Sequence, residues 1–336
     1  MSITLWMTLS RTLDILLLLF VAIILAEGVR PIVDWLHDHH VPRALAVLLL
    51  YLVGGALLVL LGWWFVQPLL GEAASLIDHL PQYERQATDL IEQMQRTIHG
   101  SGPLSSAVDA LRGQVKGMAG HVVSPLIHAP LTVATVGFKL LEVLFMAFFW
   151  LTAIRGLKPY LVGLLPEGTQ DDAADILSEM GRRLGGYVRG VAVDMVVVGV
   201  VTGFVLWLLG VPYALLLGVV AGLVEALPLV GTFVGQAVAI VVALIAVGPL
   251  KAGEVWLATM VIQQAEGNVL IPLVMNRAVD LNPLTVTLAI LLGGTLFGIL
   301  GAIVAVPAAV VIKVLVVRVL APAAHRAMEA AGSGSQ

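Results

Sequence analysis

Ionisable side chains set inside apolar runs are where this sequence can do chemistry. A charged residue at the centre of a bilayer costs ~2.5–3.5 kcal/mol even on permissive insertion scales, so each one needs a partner, a proton or water. Asp194, Glu225 and Glu266 stand in such runs. Glu225 is followed by Pro228 and Gly231, where a helix has to break. Broken backbone at membrane depth is tolerated only against protein or a wet cavity. The stretch IQQAEGNVLIP at 262–272 places Gln263, Glu266, Asn268 and Pro272 in another apolar run, with Gln263 and Glu266 one helical turn apart. Together Glu225, Gln263, Glu266, Asn268 and Asp194 offer acceptors and amide donors suited to a cation, a proton or a hydroxylated small molecule. Plainer readings stand beside this one. Asp194 can pair with Arg189 at an interface, Glu225 can close a short helix in solvent, and the 262–272 stretch can join helices through polar contacts.

Other chemistries lack their residues. The chain has no cysteine, which excludes disulfides, thiolate metal sites and thiol catalysis. No GxxxxGK[ST], HExxH or GxSxG occurs. The expectation is a protein that is not an enzyme and carries no cofactor or resident metal, with coupling to Na+, Li+ or H+ left open. His37, His39 and His40 beside Asp38 read as a solvated turn, and no basic patch suggests nucleic acid.

The elements that must position these residues are membrane helices. Hydrophobic residues make up 59% and charged residues 12% of the 336, against about 45–50% and about 25% in soluble domains. Too few polar groups remain to cover a water-facing surface, so the lipid bilayer is the first partner. Apolar runs fall at 12–26, 44–70, 131–154, 190–210, 229–248, 254–275 and 285–320, with a short one at 212–227. The last is too long for one crossing of ~20 residues and is interrupted by Gly293, Gly294, Gly298, Gly301 and Pro307, so it reads as a hairpin or a re-entrant piece plus a span. The run at 13–26 has no convincing cleavage site after it and reads as an uncleaved first span.

The fold class is therefore all-α, a polytopic helical membrane protein with about eight transmembrane segments. Broken or re-entrant helices occupy the C-terminal half, and an amphipathic helical segment lies outside the membrane. The segments are 1–71 (N-terminal spans), 72–130 (amphipathic, extramembrane), 131–154 (one span), 155–189 (a cytoplasmic loop helix), 190–322 (the C-terminal core) and 323–336 (a disordered tail). In 72–130 an apolar stripe including Leu76, Leu80, Tyr83 and Ala87 recurs at three- and four-residue steps and must be buried on something. Thr169 and Asp172 have the spacing of a capping box. GxxxG pairs at Gly199/Gly203, Gly218/Gly222, Gly231/Gly235 and Gly294/Gly298 suit close helix packing. Lys and Arg in 155–189 and near the C-terminus orient both to the cytoplasm.

Four stretches carry a family resemblance: GVRPIVDWLHDHHVPRALAVLLLYL, GYVRGVAVDMVVVGV, EALPLVGTFVG and QQAEGNVLIPLVMNRAVDLNPLTVTLAILLGGTLFGILGAIVAVP. In order and spacing they resemble the autoinducer-2 exporter family, also called PerM-like permeases, over about residues 25–320. The resemblance implies a multi-pass protein of the bacterial inner membrane that exports a small polar solute such as autoinducer-2. It equally admits sodium(lithium)/proton antiport, and it implies a homo-oligomer. A membrane scaffold whose 72–130 segment binds a partner is the alternative of another class. For transport, Glu225, Gln263, Glu266, Asn268 and Asp194 are the expected polar lining. Pro228, Gly231, Gly235, Pro272, Gly293, Gly294, Gly298 and Pro307 are the expected breaks and gating points.

Overall fold

A computed structural model describes residues 2–97, 137–227, 230–275 and 281–322. Residues 98–130 of the amphipathic segment, Pro228 and the tail 323–336 lie outside the described residues. What is described is helical: α1 (Ser2–Asp38), α2 (Arg43–Thr97), α3 (Gly137–Gly163), α4 (Gln170–Leu208), α5 (Ala214–Val224), α6 (Val230–Ala246), α7 (Pro249–Ala265), α8 (Ile271–Met275) and α9 (Pro283–Leu315). Six of these stretches are long and apolar enough to cross a membrane, while α5 and α6 are shorter apolar helices. The 11 residues of α5 span only ~16 Å at 1.5 Å per residue, so α5 is a half-length element. The chain is a helical polytopic membrane protein.

Packing divides the described residues into two units. The first draws on Met1–Ala56, Lys139–Asp194 and Asn268–Gln336. Its core joins α1, the start of α2 and α3 through Ala22, Ala26, Val33, Ala46, Val47, Val143, Ala147 and Leu151. Alanine dominates because lipid supplies no hydrophobic drive between helices, so close backbone approach is what stabilises. A second cluster, Ile24, Leu184 and Val304, ties α1 to α4 and α9. Within α9 the backbone leaves the helix at Phe297 and Gly298, where Gly298 takes φ +63°. A Cβ on Gly293 would collide with the Gly301 carbonyl oxygen and sit 3.0 Å from the Ala305 side chain. In a straight helix positions 293 and 305 would be ~18 Å apart, so α9 is a hairpin of two arms. Pro307 is buried in the second arm.

The second unit, Leu57–Phe138 and Met195–Gly267, holds the end of α4 with α5, α6 and α7. Helix α4 closes on Gly210 at φ +68°. There the Val211 N–H donates to the Leu206 carbonyl and the Gly210 N–H to that of Trp207, both at 3.0 Å, the Schellman pattern that a left-handed glycine permits. Beyond this turn the GxxxG pairs of α4 and α5 meet face to face. A Cβ on Gly222 would collide with the Met195 carbonyl oxygen, and one on Gly218 would lie 2.7 Å from that of Gly199.

The amphipathic stripe of 72–97 has found its cover. Helix α2 runs unbroken into it, and Leu80, Ala87 and Ile91 are buried. Leu76 and Tyr83 pack on the core of Leu206, Tyr213, Leu217, Ala239, Ala243 and Val255. The Glu72 carboxylate accepts from the Leu216 N–H at 2.7 Å, and the Tyr83 and Tyr213 hydroxyls bond at 3.0 Å. Glu72 thus caps the first turn of α5, whose own N-cap residue, Tyr213, supplies no side-chain capping bond.

The expected capping box is not used. Thr169 ends a short 3-10 turn (Glu167–Thr169) and its hydroxyl donates to the Pro166 carbonyl instead. Asp171 and Asp172 still occupy the first turn of α4, where negative charge suits the helix dipole.

Gly218→Val forces a branched Cβ and its two methyls into backbone. It should cost ~3 kcal/mol or more, the upper range for overpacking, read as thermal unfolding in detergent. Gly54→Ala, where a Cβ meets nothing within 4 Å, should stay within about 1 kcal/mol of wild type.

Candidate functional site

A small polar pocket lies wholly within the second unit. Its lining comes from α4 (Val198, Thr202), α5 (Ala221), the turn after it (Glu225), α6 (Thr232, Gly235, Gln236) and α7 with its C-terminal residue (Thr259, Ile262, Gln263, Glu266). Each polar group arrives by a stated local cause. Helix α5 stops at Val224, and the chain reverses through residues 225–227 into α6. The reversal is tight, since a Cβ on Gly231 would collide with the Val224 carbonyl oxygen. It leaves Glu225 only 4% exposed at the end of the half-length helix. Gly235 sits opposite Ala221, its notional Cβ 3.2 Å from that Cα, so α6 lies close enough for Thr232 and Gln236 to reach inward. On α7, Thr259, Gln263 and Glu266 recur at steps of four and three and share one face.

Glu266 opens a π turn (Glu266–Leu270) that precedes Pro272. A proline six residues later supplies no N–H and crowds the carbonyl four residues back, and a widened turn accommodates both. The π turn also breaks the α-helical register. Asn268, two residues and about 200° of helix beyond Glu266, is exposed and outside the pocket lining, while Glu266 is buried.

The hydrogen bonds are specific. The Thr232 hydroxyl donates to Glu225 Oε2 at 3.1 Å. Gln236 Nε2 donates to the Thr259 carbonyl and to Gln263 Oε1, each at 3.1 Å. The Thr259 hydroxyl donates back to the Val255 carbonyl at 2.9 Å. Carboxylate oxygens of Glu225 and Glu266 lie within 4.8 Å of one another. Two full charges at that distance repel by ~3.5 kcal/mol even at an effective dielectric of 20. Among the described residues no lysine or arginine lines the pocket.

Size limits the occupant. The space open to the centre of a water-sized sphere is about 20 Å³. One such occupant needs ~10–15 Å³, whereas organic ligands take ~300–1,000 Å³. The pocket as it stands has room for one or two water molecules or a dehydrated monovalent cation.

The remaining sequence candidates are not among the residues that line this pocket. Asp194 belongs to the first unit, 5% exposed, on the same face of α4 as Val198 and one turn before it. Its Oδ1 has no hydrogen-bond partner. Arg189 does not pair with it and instead donates to the Gly28 carbonyl at 3.0 Å. Gly293, Gly298 and Pro307 serve the α9 hairpin, and Gly294 meets Ala302 at ordinary contact distance, 3.8 Å. Sequence reasoning missed Thr202, Thr232, Gln236 and Thr259. Their signal was present as lone polar residues at four-residue steps, 232/236 and 259/263, in otherwise apolar helices. It also missed Glu27, 5% exposed in the first unit, whose carboxylate takes Arg30 and the Trp150 Nε1–H at 3.0 Å each.

Comparison with known proteins agrees with this architecture. "Putative transport protein YrrI" of Bacillus subtilis is 27% identical over 309 residues, covering 90% of this chain and 86% of its own. "Putative transport protein MT0215" of Mycobacterium tuberculosis is 31% identical over 297 residues, covering 85% and 78%. "AI-2 transport protein TqsA" of Escherichia coli is 27% identical over 307 residues, covering 89% and 83%. The family model described as AI-2E family transporter matches residues 1–321, and this chain, a membrane transport protein rather than an enzyme, belongs to that family.

Proposed function

We propose that the chain is a cation-coupled secondary transporter in which Glu225 and Glu266 exchange a proton for Na+ or Li+. The observation that carries this reading is a water-sized pocket whose lining holds two buried carboxylates within 4.8 Å of one another and no basic side chain among its described residues. Alternating access would open this site to one side of the membrane at a time. The half-length α5 and the turn at 225–227 would supply the break around which it opens. Lys and Arg in 155–189 and at Lys313 and Arg318 favour a cytoplasmic C-terminus in a bacterial inner membrane. The family resemblance favours a homo-oligomer.

Export of a small polar solute is the second reading. It is favoured by the relative named AI-2 transport protein TqsA. In that case Glu225 and Glu266 carry the coupling ion, and the solute passes where there is more room than in this pocket.

In sealed liposomes holding a pH-sensitive dye, a Na+ or Li+ gradient should drive proton movement through wild-type protein. Glu225→Gln and Glu266→Gln should each abolish it, whereas Gln264→Ala, exposed and off the lining, should not. Proton movement that survives both glutamate variants removes the reading. Gln236→Leu deletes two hydrogen bonds, and at ~0.6 kcal/mol for an interhelical bond in a membrane should cost about 1 kcal/mol in thermal unfolding. It should also weaken the cation dependence of transport, because Gln263 loses its positioning partner.

A further inference from the structure

A much larger cleft, about 1320 Å³, lies within the first unit between α1, α3, α4 and α8. Its charges do not balance. Three carboxylates line it and each is already claimed: Glu27 by Arg30 at 3.0 Å, Asp34 by Arg30, Arg43 and Arg155, and Glu179 by Arg183 and Arg318. Three further cations line the same cleft without a carboxylate. Lys158 donates to the Ser178 hydroxyl. Arg189 donates to the main-chain carbonyls of Glu27 and Gly28. Arg182 makes no hydrogen bond or ion pair among the described residues and is exposed.

These cations are arranged together. Ser178, which holds Lys158, lies one turn before Arg182 on α4, and Arg189 follows seven residues later on the same face. Phe20, Leu161, Leu273 and Val311 add apolar wall. Guanidinium forks match the paired oxygens of a phosphate, and a lysine adds a point charge.

We propose that this cleft binds a phosphate-bearing anion at Lys158, Arg182 and Arg189. The volume admits an organic phosphate or a lipid headgroup, both beyond the ion pocket. The proposal does not depend on the exchange chemistry assigned to Glu225 and Glu266.

The test uses full-length protein in nanodiscs of net-neutral phosphatidylcholine, with thermal unfolding as the readout. One arm adds glycerol 3-phosphate at matched ionic strength, and the other replaces part of the lipid by phosphatidylglycerol. One of them should raise the unfolding midpoint of wild type. The double variant Lys158→Gln with Arg182→Gln should need about tenfold more ligand for the same shift, as expected for losing two charge-assisted contacts, while Lys158→Arg with Arg182→Lys should retain it. Stabilisation by glycerol 3-phosphate identifies a soluble organic phosphate, and stabilisation by phosphatidylglycerol alone identifies a headgroup. No shift in either arm, or an equal shift in the glutamine double variant, overturns the proposal. Since Arg182 is exposed, and a glutamine amide in place of Lys158 can still bond Ser178, both variants should fold. Unchanged midpoints without ligand check this.

Discussion

The approach of two buried carboxylates, Glu225 and Glu266, to within 4.8 Å is the constraint that orders the second unit. Neither could be held there in hydrocarbon without compensation. The lining supplies it as neutral dipoles: the Thr232 hydroxyl on Glu225 and the Gln236–Gln263 pair beside Glu266. Neutral donors soften the repulsion without placing a basic side chain in the described lining. That is the difference between this pocket and the Glu27 cluster of the first unit, where Arg30 neutralises the carboxylate on the spot. The first arrangement is the one proposed to exchange an ion, and the second is an ion pair within the protein.

Several features exist to bring the pair together. Helix α5 must end early, so that Glu225 arrives at its tip and not on the flank of a full span. The α4–α5 glycine faces must touch backbone to backbone, because any side chain there would push Ala221 and the turn after it away from α6. Helix α7 must carry Glu266 on the face of Thr259 and Gln263 and then change period, which the π turn before Pro272 accomplishes. Beneath α5, Glu72 and Tyr83 of the long α2 hold the entry turn in place.

Much of this was legible in the sequence. Glu225 stood out because a carboxylate next to a predicted break is costly. Gln263 and Glu266 stood out because polar residues one turn apart in an apolar run have few structural uses. The glycines from 293 to 301 could be read as a hairpin because no single span is that long. Asn268 was a candidate by residue type alone, although a helix turns it about 200° away from Glu266, and it is exposed. Two things were not legible. Thr232, Gln236 and Thr259 looked ordinary singly, since each is tolerable in a membrane helix and only the fold places them around one point. The cover for the 72–97 stripe was also hidden, because a stripe announces that it is buried without naming what buries it.

The most direct test of the central claim is proton release on cation binding. Purified protein in weakly buffered detergent solution would be titrated with Li+ or Na+ while pH is recorded, with choline as the control cation. If Glu225 and Glu266 share a proton that a cation displaces, wild type should release protons saturably on Li+ or Na+. Folded Glu225→Gln and Glu266→Gln proteins should release none. Release by wild type and both variants alike, or none from wild type shown to be folded, would contradict the account.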